Sequence, residues 1–241
     1  MTENRMSSFI APQTIVVIGA SSRDGSLGKI IVQNLLSGGM AKDNISIVNP
    51  KYKRVLDLPC SASVDELESA ADLAVIVSPP KTVPGLIAEL GQKGTRSVVV
   101  ITAGFSEGNG TGGKDLEAQM LQEARQYNVR IIGPNCLGVI SPINKLNASF
   151  SHLMPNKGKI GVISQSGAML TSIIDWACGR GIGFSHLVSL GDMADITFGE
   201  VLDAMSMDSE TEAIVIYMES VQHARRFISA ARAASRTKPI V

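Results

Sequence analysis

The stretch that decides the fold is VVIGASSRDGSLG, residues 16–28. Its apolar beginning belongs to a predicted buried strand, Thr14–Ile18, and its end opens a predicted helix at Leu27. The small residues from Gly19 onward form the loop between them. Loops of this kind bind anionic phosphates, because free amide groups and the dipole of the following helix converge there. The stretch therefore predicts a strand–loop–helix unit that binds a phosphorylated ligand.

The same alternation of short apolar runs with amphipathic segments continues around this unit. The strand segments are nearly continuous in apolar residues, as expected when helices cover both faces of a sheet. Repeated strand–helix–strand units indicate an α/β fold with a mostly parallel, doubly wound sheet. We predict strands at Thr14–Ile18, Ile45–Val48, Leu73–Val77, Ser97–Ile101 and Arg130–Ile132, and helices at Leu27–Leu36, Val83–Lys93 and Lys114–Tyr127.

A second α/β domain is predicted after a break in this rhythm. The segment Pro142–Lys157 is rich in Asn, Pro and Ser, so we place a boundary there, between domains at residues 1–143 and 158–241. The chain ends on a predicted further strand, Pro239–Val241, and we expect this domain to be truncated at its C-terminus; a short edge strand is the alternative. Within it we predict strands at Lys159–Ile163, Phe184–Val188 and Ala213–Met218, and helices at Ala168–Gly179, Phe198–Met205 and Ala224–Ala234.

The composition and the net charge argue against several classes of binding partner. Lys plus Arg and Asp plus Glu both number 22, so the zero net charge gives no reason to expect nucleic acid or a membrane surface. No segment has the pattern of a signal peptide or a membrane span, and we expect a cytoplasmic protein. The three cysteines and three histidines lack metal-ligand spacing, so no metal site is predicted.

The first glycine loop departs from the dinucleotide fingerprint. The G-x-G-x-x-G pattern is absent, because Ala20 and Ser21 follow Gly19. The second predicted strand is followed by the basic segment Asn49–Arg54 rather than by an acid that would bind a ribose hydroxyl. Positive charge there suits the phosphorylated ribose of NADP or of coenzyme A, and a basic, solvated surface loop is the alternative.

A second strand–loop–helix unit has the sequence ISQSGA, residues 163–168. Ser166 is predicted to cap the following helix, and its hydroxyl and the nearby amides are candidates for holding a phosphoryl group. The G-x-S-x-G pattern of hydrolases is absent. Glu219 follows a predicted buried strand, where a carboxylate must be paired, solvated or functional. Cys136 has no predicted histidine partner and is interpreted as a small packed residue.

Taken together, these loops resemble one family, the NDP-forming acyl-CoA synthetases. The first domain resembles the Rossmann-like CoA-binding domain of the succinyl-CoA synthetase α-subunit type, and the second resembles the flavodoxin-like succinyl-CoA ligase domain. The resemblance implies two doubly wound parallel-sheet domains in that order. The matching landmarks are residues 17–21, 49–51, 78–80, 101–104, 133–138, 163–167 and 211–214.

The resemblance also implies a ligand and its contacts. Coenzyme A or acetyl-CoA is expected along the first domain, a phosphate at the start of the second glycine loop's helix, and a phosphorylated histidine oriented by Glu219. In the family this histidine lies beyond the position of Val241, and a separate ATP-grasp region handles ATP and ADP, so we expect this chain to be catalytically incomplete. The implied contacts are Gly19, Ser21, Ser22, Arg23, Asp24 and Lys51 for the nucleotide end, Ile101, Thr102 and Ala103 for the pantetheine, and Ser164, Ser166 and Gly167 for the phosphate.

Three hypotheses for the whole protein remain open. The segments Leu146–Ser151 and Ala224–Arg236 are most similar to bacterial protein lysine acetyltransferases, which join a synthetase-like region to a GNAT domain and use acetyl-CoA. This is our main interpretation. The first alternative is the α part of an ADP-forming acyl-CoA synthetase that works through a phosphohistidine, and the second is an NADP-binding Rossmann protein. Relatives associate through their synthetase-like parts, so we also expect self-association.

Overall fold

The computed structural model describes residues 6–105 and 112–241, and it contains two five-stranded sheets. All strand pairs of the first sheet are parallel, in the order β2-β1-β5-β6-β7. Every strand and helix predicted for this half is present within two residues of its predicted ends. The elements are α1 (Ser7–Ile10), β1 (Ile15–Ile18), α2 (Leu27–Gly38), β2 (Ile45–Val48), a hairpin of β3 (Arg54–Val55) and β4 (Leu58–Pro59), β5 (Leu73–Ile76), α3 (Val83–Lys93), β6 (Ser97–Val100), α4 (Gly112–Gln126) and β7 (Arg130–Ile132).

The strand order places a topological switch point between β1 and β5. From β1 the chain moves outward to β2 on one side, and from β5 it moves to β6 and β7 on the other. Ligands of open α/β sheets bind in the crevice beyond the carboxyl ends of the strands at such a point. The loops that follow β1 and β5 are therefore the first place to look for a binding site.

The second sheet contains three parallel strands, as predicted, but its other two strands pair in antiparallel fashion. Its order is β12-β10-β11-β8-β9, with β12, β10 and β11 parallel and with β8 antiparallel to both β11 and β9. The elements are β8 (Gly138–Ser141), β9 (Leu146–Ser149), β10 (Asn156–Ser164), α5 (Gly167–Cys178), β11 (Gly183–Ser189), α6 (Phe198–Met207), β12 (Ala213–Tyr217) and α7 (Ala224–Ala234).

The unpredicted hairpin β8–β9 explains this difference. Its residues fall in the first predicted domain and in the segment between the two predicted domains. Buried polar side chains hide it from a search for apolar runs, because Ser149 donates its hydroxyl to Asn147 Oδ1 at 2.6 Å inside the sheet. The turn between the strands places Lys145 at a φ of 57°. The division at residues 143 and 158 stays a prediction.

The end of the chain pairs with the second sheet as predicted. Ile240 forms a parallel bridge with Ile214 of β12. The backbone amide of Ile216 donates to the Val241 carbonyl at 2.8 Å, and the amide of Val241 donates to Ile214 at 2.9 Å.

The two sheets pack into one unit. A single apolar cluster contains buried residues of both, among them Ile15, Ile132, Val139 and Val188. Asn34 of α2 donates to the carbonyls of two residues in the second half at 2.8 Å each. These contacts hold the two halves against each other across the cleft described below. Within residues 6–105 and 112–241, no helix has both the length and the apolar character needed to cross a membrane.

Candidate functional site

A cleft of about 740 Å³ lies at the carboxyl ends of β5 and β6 and at the start of α2, and the beginning of α5 forms another of its walls. Its walls are mostly apolar, and its size falls in the range of small-molecule sites. Because its walls come from both sheets, it exists only while the two halves are packed together. It is lined by Leu27, Val77, Ser78, Pro79, Pro80, Ile101, Thr102, Ala103, Asn135, Cys136, Leu137, Phe150, Gly167, Ala168 and Thr171.

The first glycine loop approaches its neighbours too closely for side chains at two positions. Gly19 has a φ of 93°, and a Cβ there would lie 2.7 Å from the Ser78 hydroxyl. A Cβ on Gly28 would lie 2.5 Å from the Cα of Ala20. These two glycines let the loop lie close to α2 and to the loop after β5, which leaves its backbone open to a ligand.

Asn49, which directly follows β2, connects the first glycine loop to Lys51 through two hydrogen bonds. Its amide nitrogen donates to the Ala20 carbonyl at 2.7 Å, and its amide oxygen accepts from the Lys51 backbone at 3.0 Å. Lys51 itself is exposed. The side chain of Asn49 therefore places Lys51 beside the first glycine loop. This role of Asn49 is not evident from the sequence pattern, because one of its partners is a backbone group 29 residues away.

The side chains of Ser22, Arg23 and Asp24 project into solvent from the tip of the loop. Ser22 donates its hydroxyl to the Arg54 carbonyl at 3.1 Å, which joins the loop to the hairpin β3–β4. The Asp24 carboxylate is 97% exposed and accepts from the Lys29 ammonium at 2.5 Å. The hydrogen bond from Lys29 lowers the pKa of Asp24. Asp24 is therefore engaged with a side chain of α2.

The loop after β6 contributes the middle of the cleft. Ile101 is buried and Ala103 is exposed, and both line the cavity. Thr102 donates its hydroxyl to the Ser78 carbonyl at 2.7 Å and accepts with its carbonyl from the Asn135 backbone at 3.0 Å. The Thr102 hydroxyl thus links the loops after β5 and β6, and its carbonyl links the loop after β6 to the segment that follows β7.

The segment between β7 and β8 forms the floor of the cleft. Burial raises the pKa of the Cys136 thiol to about 12. Its sulfur is also in contact with the Val100 carbonyl at 3.4 Å. A thiol that stays protonated is a poor nucleophile. Cys136 is accordingly a packed residue, as predicted.

The second glycine loop is held by its own hydrogen bonds. Buried Ser164 donates its hydroxyl to the Ser166 carbonyl at 2.7 Å and accepts from the Ser166 amide at 3.2 Å. The Ser166 hydroxyl accepts from the Met169 amide at 3.3 Å, which is the predicted N-cap. The first-turn amides of Gly167 and Ala168 have no acceptor within the helix and lie at the cleft wall. The loop thereby offers a fixed anion-binding geometry.

Glu219 lies just beyond β12 and is connected to this loop by Gln165. The Gln165 amide oxygen accepts from the backbone amides of Glu219 and Ser220, at 2.9 Å each. Glu219 is exposed and does not line the cleft itself.

Comparison with known proteins identifies the first half of the chain. Residues 13–142 match the protein-family model described as CoA binding domain. The chain belongs to the CoA-binding domain family. Behind this CoA-binding domain, residues 157–241 match the model described as succinyl-CoA ligase-like flavodoxin domain. Both family resemblances and the predicted fold class are confirmed.

Several relatives resemble the CoA-binding domain together with the domain that follows. The ADP-forming acetate–CoA ligase I of Archaeoglobus fulgidus is 40% identical over 98% of this chain and 34% of its own length. Subunit alpha of the ADP-forming acetate–CoA ligase I of Pyrococcus furiosus is 40% identical over 95% of this chain and 50% of its own. The solved dinucleotide-forming acetyl-coenzyme A synthetase 1 of Ca. Korarchaeum cryptofilum, in complex with phosphate and ADP, has a TM-score of 0.91 at 34% identity, over 99% of this chain and 51% of that chain.

The lengths and names of these relatives help to choose between the hypotheses for the whole protein. The chain spans about a third to a half of the length of the curated relatives it matches. Their names support the first alternative for the whole protein, the ADP-forming synthetase. They give no support to the main interpretation, the lysine acetyltransferase.

The residues of the CoA-binding domain fit coenzyme A. Gly19 and Gly28 let the first glycine loop pack closely against the loop after β5 and against α2, and exposed Arg23 and Lys51 carry the positive charge that phosphates need. The apolar wall of the cleft, with Ile101 at its centre, suits an extended pantetheine chain.

Histidines are absent from the described lining of the cleft. His186 is buried, with its ring nitrogens 2.9 Å from the Ser141 hydroxyl and 3.1 Å from an Asp208 oxygen. His152 pairs with Asp175 at 3.0 Å, and His223 precedes α7. No cluster of three or more His, Cys, Asp or Glu in the described residues is arranged to hold a metal ion.

The structure brings the predicted site residues together in two groups. One group surrounds the switch point of the CoA-binding domain and the other surrounds the start of α5, and the cleft joins them. Among the predicted residues, the cleft is lined by Ile101, Thr102, Ala103 and Gly167. The others lie outside the lining, on the adjoining loops: Gly19, Ser21, Ser22, Arg23, Asp24, Lys51, Ser164, Ser166 and Glu219.

Proposed function

We propose that this chain is the CoA-binding α part of an ADP-forming acyl-CoA synthetase that works with an ATP-grasp region. One observation carries the proposal. The cleft of the CoA-binding domain ends at the first turn of α5, where Gly167 and Ala168 present amides to it. A thioester-forming ligand held along the first sheet thus reaches a built anion site. The names of the relatives support the same activity.

The nucleotide end of coenzyme A is assigned to the first glycine loop. Gly19, Ser21 and Ser22 would approach its phosphates with backbone and hydroxyl groups, while Arg23 and Lys51 would supply positive charge. Asp24 would act through Lys29, because its carboxylate is paired with that ammonium. The adjacent positions of these residues around Asn49 support the assignment.

The pantetheine chain is assigned to the loop after β6. Ile101 and Ala103 line the apolar part of the cleft, and Thr102 holds the loop against the strand end after β5. This path leads from the switch point toward α5. Burial of an extended apolar chain along it contributes about 25 cal/mol per Å² of apolar surface removed from water.

The phosphoryl group is assigned to the start of α5. Ser164, Ser166 and Gly167 hold the loop so that the free amides converge on an anion. In the proposed reaction a phosphohistidine, supplied by a part of the protein other than this chain, transfers its phosphoryl group to the carboxylate of an acid. The thiolate of coenzyme A then attacks the carbonyl carbon of the acyl phosphate, and phosphate leaves. Glu219 would orient the histidine.

The first test is calorimetric titration of this chain with coenzyme A, acetyl-CoA and NADP in parallel. Coenzyme A is expected to bind. Removing one phosphate contact with Arg23→Ala or Lys51→Ala should weaken binding by about 10-fold, because a charged hydrogen bond contributes about 1.5 kcal/mol. The matched control is Lys42→Ala, an exposed lysine just before β2, at the opposite end of that strand. Binding of NADP alone would refute the proposal.

The second test separates the synthetase from the acetyltransferase. The full-length protein with its ATP-grasp region is supplied with acetate, coenzyme A and ATP. A synthetase produces acetyl-CoA, ADP and phosphate in equal amounts. An acetyltransferase with a GNAT domain produces acetylated lysine from acetyl-CoA and no ADP, and that outcome would reinstate the main interpretation of the sequence.

A further inference from the structure

The loop that follows β12 has little packing to hold it. All residues from Glu219 to Arg226 are exposed, and Glu219 lies at the start of this stretch. A carboxylate that orients another group needs a fixed backbone beneath it. Hydrogen bonds rather than apolar contacts must therefore hold the backbone of Glu219 in position.

Gln165 supplies those hydrogen bonds. Its amide oxygen accepts from the backbone amides of Glu219 and Ser220 at 2.9 Å each. Its amide nitrogen donates to the Ser220 hydroxyl at 2.9 Å. A primary amide suits this arrangement, because it accepts through one end and donates through the other. Two successive residues of the loop are bound by one side chain from a distant part of the sequence.

Gln165 is itself fixed on the opposite side. Its backbone amide donates to the carbonyl of Tyr217, the last residue of β12, at 3.0 Å. It also directly precedes Ser166, the N-cap of α5. One residue thus connects the end of β12, the backbone of Glu219 and the first turn of α5.

We propose that Gln165 is a positioning residue, which holds Glu219 at a fixed place relative to the start of α5 during phosphoryl transfer. The proposal rests on the proposed function, because it gives Glu219 its role at the phosphohistidine. Gln165 would act through Glu219 and through the loop, without contact with substrate.

The test measures phosphohistidine formation in the full-length protein with its ATP-grasp region, by rapid quench with ATP labelled in the γ-phosphate. Gln165→Ala is expected to slow this step by about 10- to 100-fold, because a catalytic group displaced by about 1 Å loses that much rate. The affinity for coenzyme A should stay within about twofold of the wild type, since the cleft is untouched. Gln165→Glu retains an acceptor for both backbone amides and should keep more activity than Gln165→Ala.

A double variant distinguishes positioning from general destabilisation. If Gln165 acts through Glu219, Gln165→Ala combined with Glu219→Ala should be no slower than Glu219→Ala alone. The matched control is Gln222→Ala, which removes a hydrogen bond from the same loop to the Asp192 carbonyl, 3.3 Å long. It is expected to leave the step unchanged.

The outcomes separate the two proposals. A wild-type protein that forms neither phosphohistidine nor ADP refutes the proposed function and this inference with it. An active wild type with a slow Glu219→Ala variant and a normal Gln165→Ala variant overturns the inference alone. Equal losses in Gln222→Ala and Gln165→Ala, or additive losses in the double variant, also overturn it.

Discussion

The two glycine loops, residues 19–26 and 164–167, both join a parallel strand to a helix but hold their polar groups in opposite ways. In the first loop, Ser22, Arg23 and Asp24 point into solvent, and Ser26 forms no capping hydrogen bond to α2. In the second, Ser164 is buried and bonded within the loop, and Ser166 caps α5. The first loop therefore offers exposed charged side chains, and the second offers a fixed set of backbone amides.

This difference corresponds to two tasks. Exposed side chains that contact phosphates provide affinity, and that affinity weakens with salt. Preorganised amides stabilise charge that develops in a reaction, and they need no rearrangement at that moment. Under the proposed function, the first loop would supply affinity for the nucleotide end of coenzyme A, and the second would support the phosphoryl-transfer chemistry.

The largest expected effect comes from a substitution that disrupts the packing between the first loop and α2. A Cβ on Gly28 meets backbone, 2.5 Å from the Cα of Ala20, whereas a Cβ on Gly167 meets the Leu137 Cβ at 3.3 Å. Gly28→Ala is therefore expected to destabilise the protein by about 3 kcal/mol, because backbone must move. Gly167→Ala is expected to change the free energy of unfolding by less than ~1 kcal/mol. Urea unfolding of both variants against wild type measures the difference.

Equal costs for the two alanines would contradict this contrast. Equal losses of stability would mean that the backbone of the first loop can shift away from α2 as easily as the Leu137 side chain can shift beside α5. Coenzyme A binding by the Gly28→Ala variant is then the deciding control, because a loop displaced from α2 should lose the ligand.

A smaller effect concerns the helix caps of the two loops. The Ser166 hydroxyl accepts from the Met169 amide at 3.3 Å, and Ser166→Ala is expected to cost about 1 kcal/mol of unfolding free energy. Ser26 occupies the equivalent position before α2 and donates weakly to the Ser21 carbonyl at 3.3 Å. Ser26→Ala is expected to cost less than ~0.5 kcal/mol. Guanidinium unfolding of the pair checks both values, and a larger loss at Ser26 would reverse the comparison.

The strands and helices around both loops were predictable, because each carries its own local signal. Apolar runs such as Ile15–Ile18 and Leu73–Ile76 are buried along their whole length, as expected of parallel strands covered by helices on both faces. The hairpin β8–β9 lacked that signal, since buried Asn147 and Ser149 satisfy each other's polar groups inside the sheet. Its antiparallel pairing depends on partners in β11, which composition alone does not reveal.

The residues that hold the loops of the site in place were predictable from the sequence only in part. Ser166 was identified as a cap because capping is a local event between neighbouring residues. Asn49 and Gln165 were given no role, although each holds a loop through its side-chain amide. Their partners are backbone groups 29 and 54 or 55 residues away, and a bond to a backbone group leaves no residue pattern in the sequence.

The smallest expected effect tests how Asp24 takes part in binding. Sequence analysis placed this residue at the nucleotide end of coenzyme A, whereas the structure pairs its exposed carboxylate with Lys29 at 2.5 Å. A negative charge close to phosphates opposes their binding, so Asp24→Asn should strengthen coenzyme A binding by up to about threefold at low salt. The gain should disappear in about 0.5 M NaCl, where exposed charges are screened. Calorimetric titration at both salt concentrations measures it, with Asp43→Asn, just before β2, as the matched control. A tenfold loss of affinity would instead show that Asp24 contacts the ligand directly, and the first loop would then bind through both signs of charge.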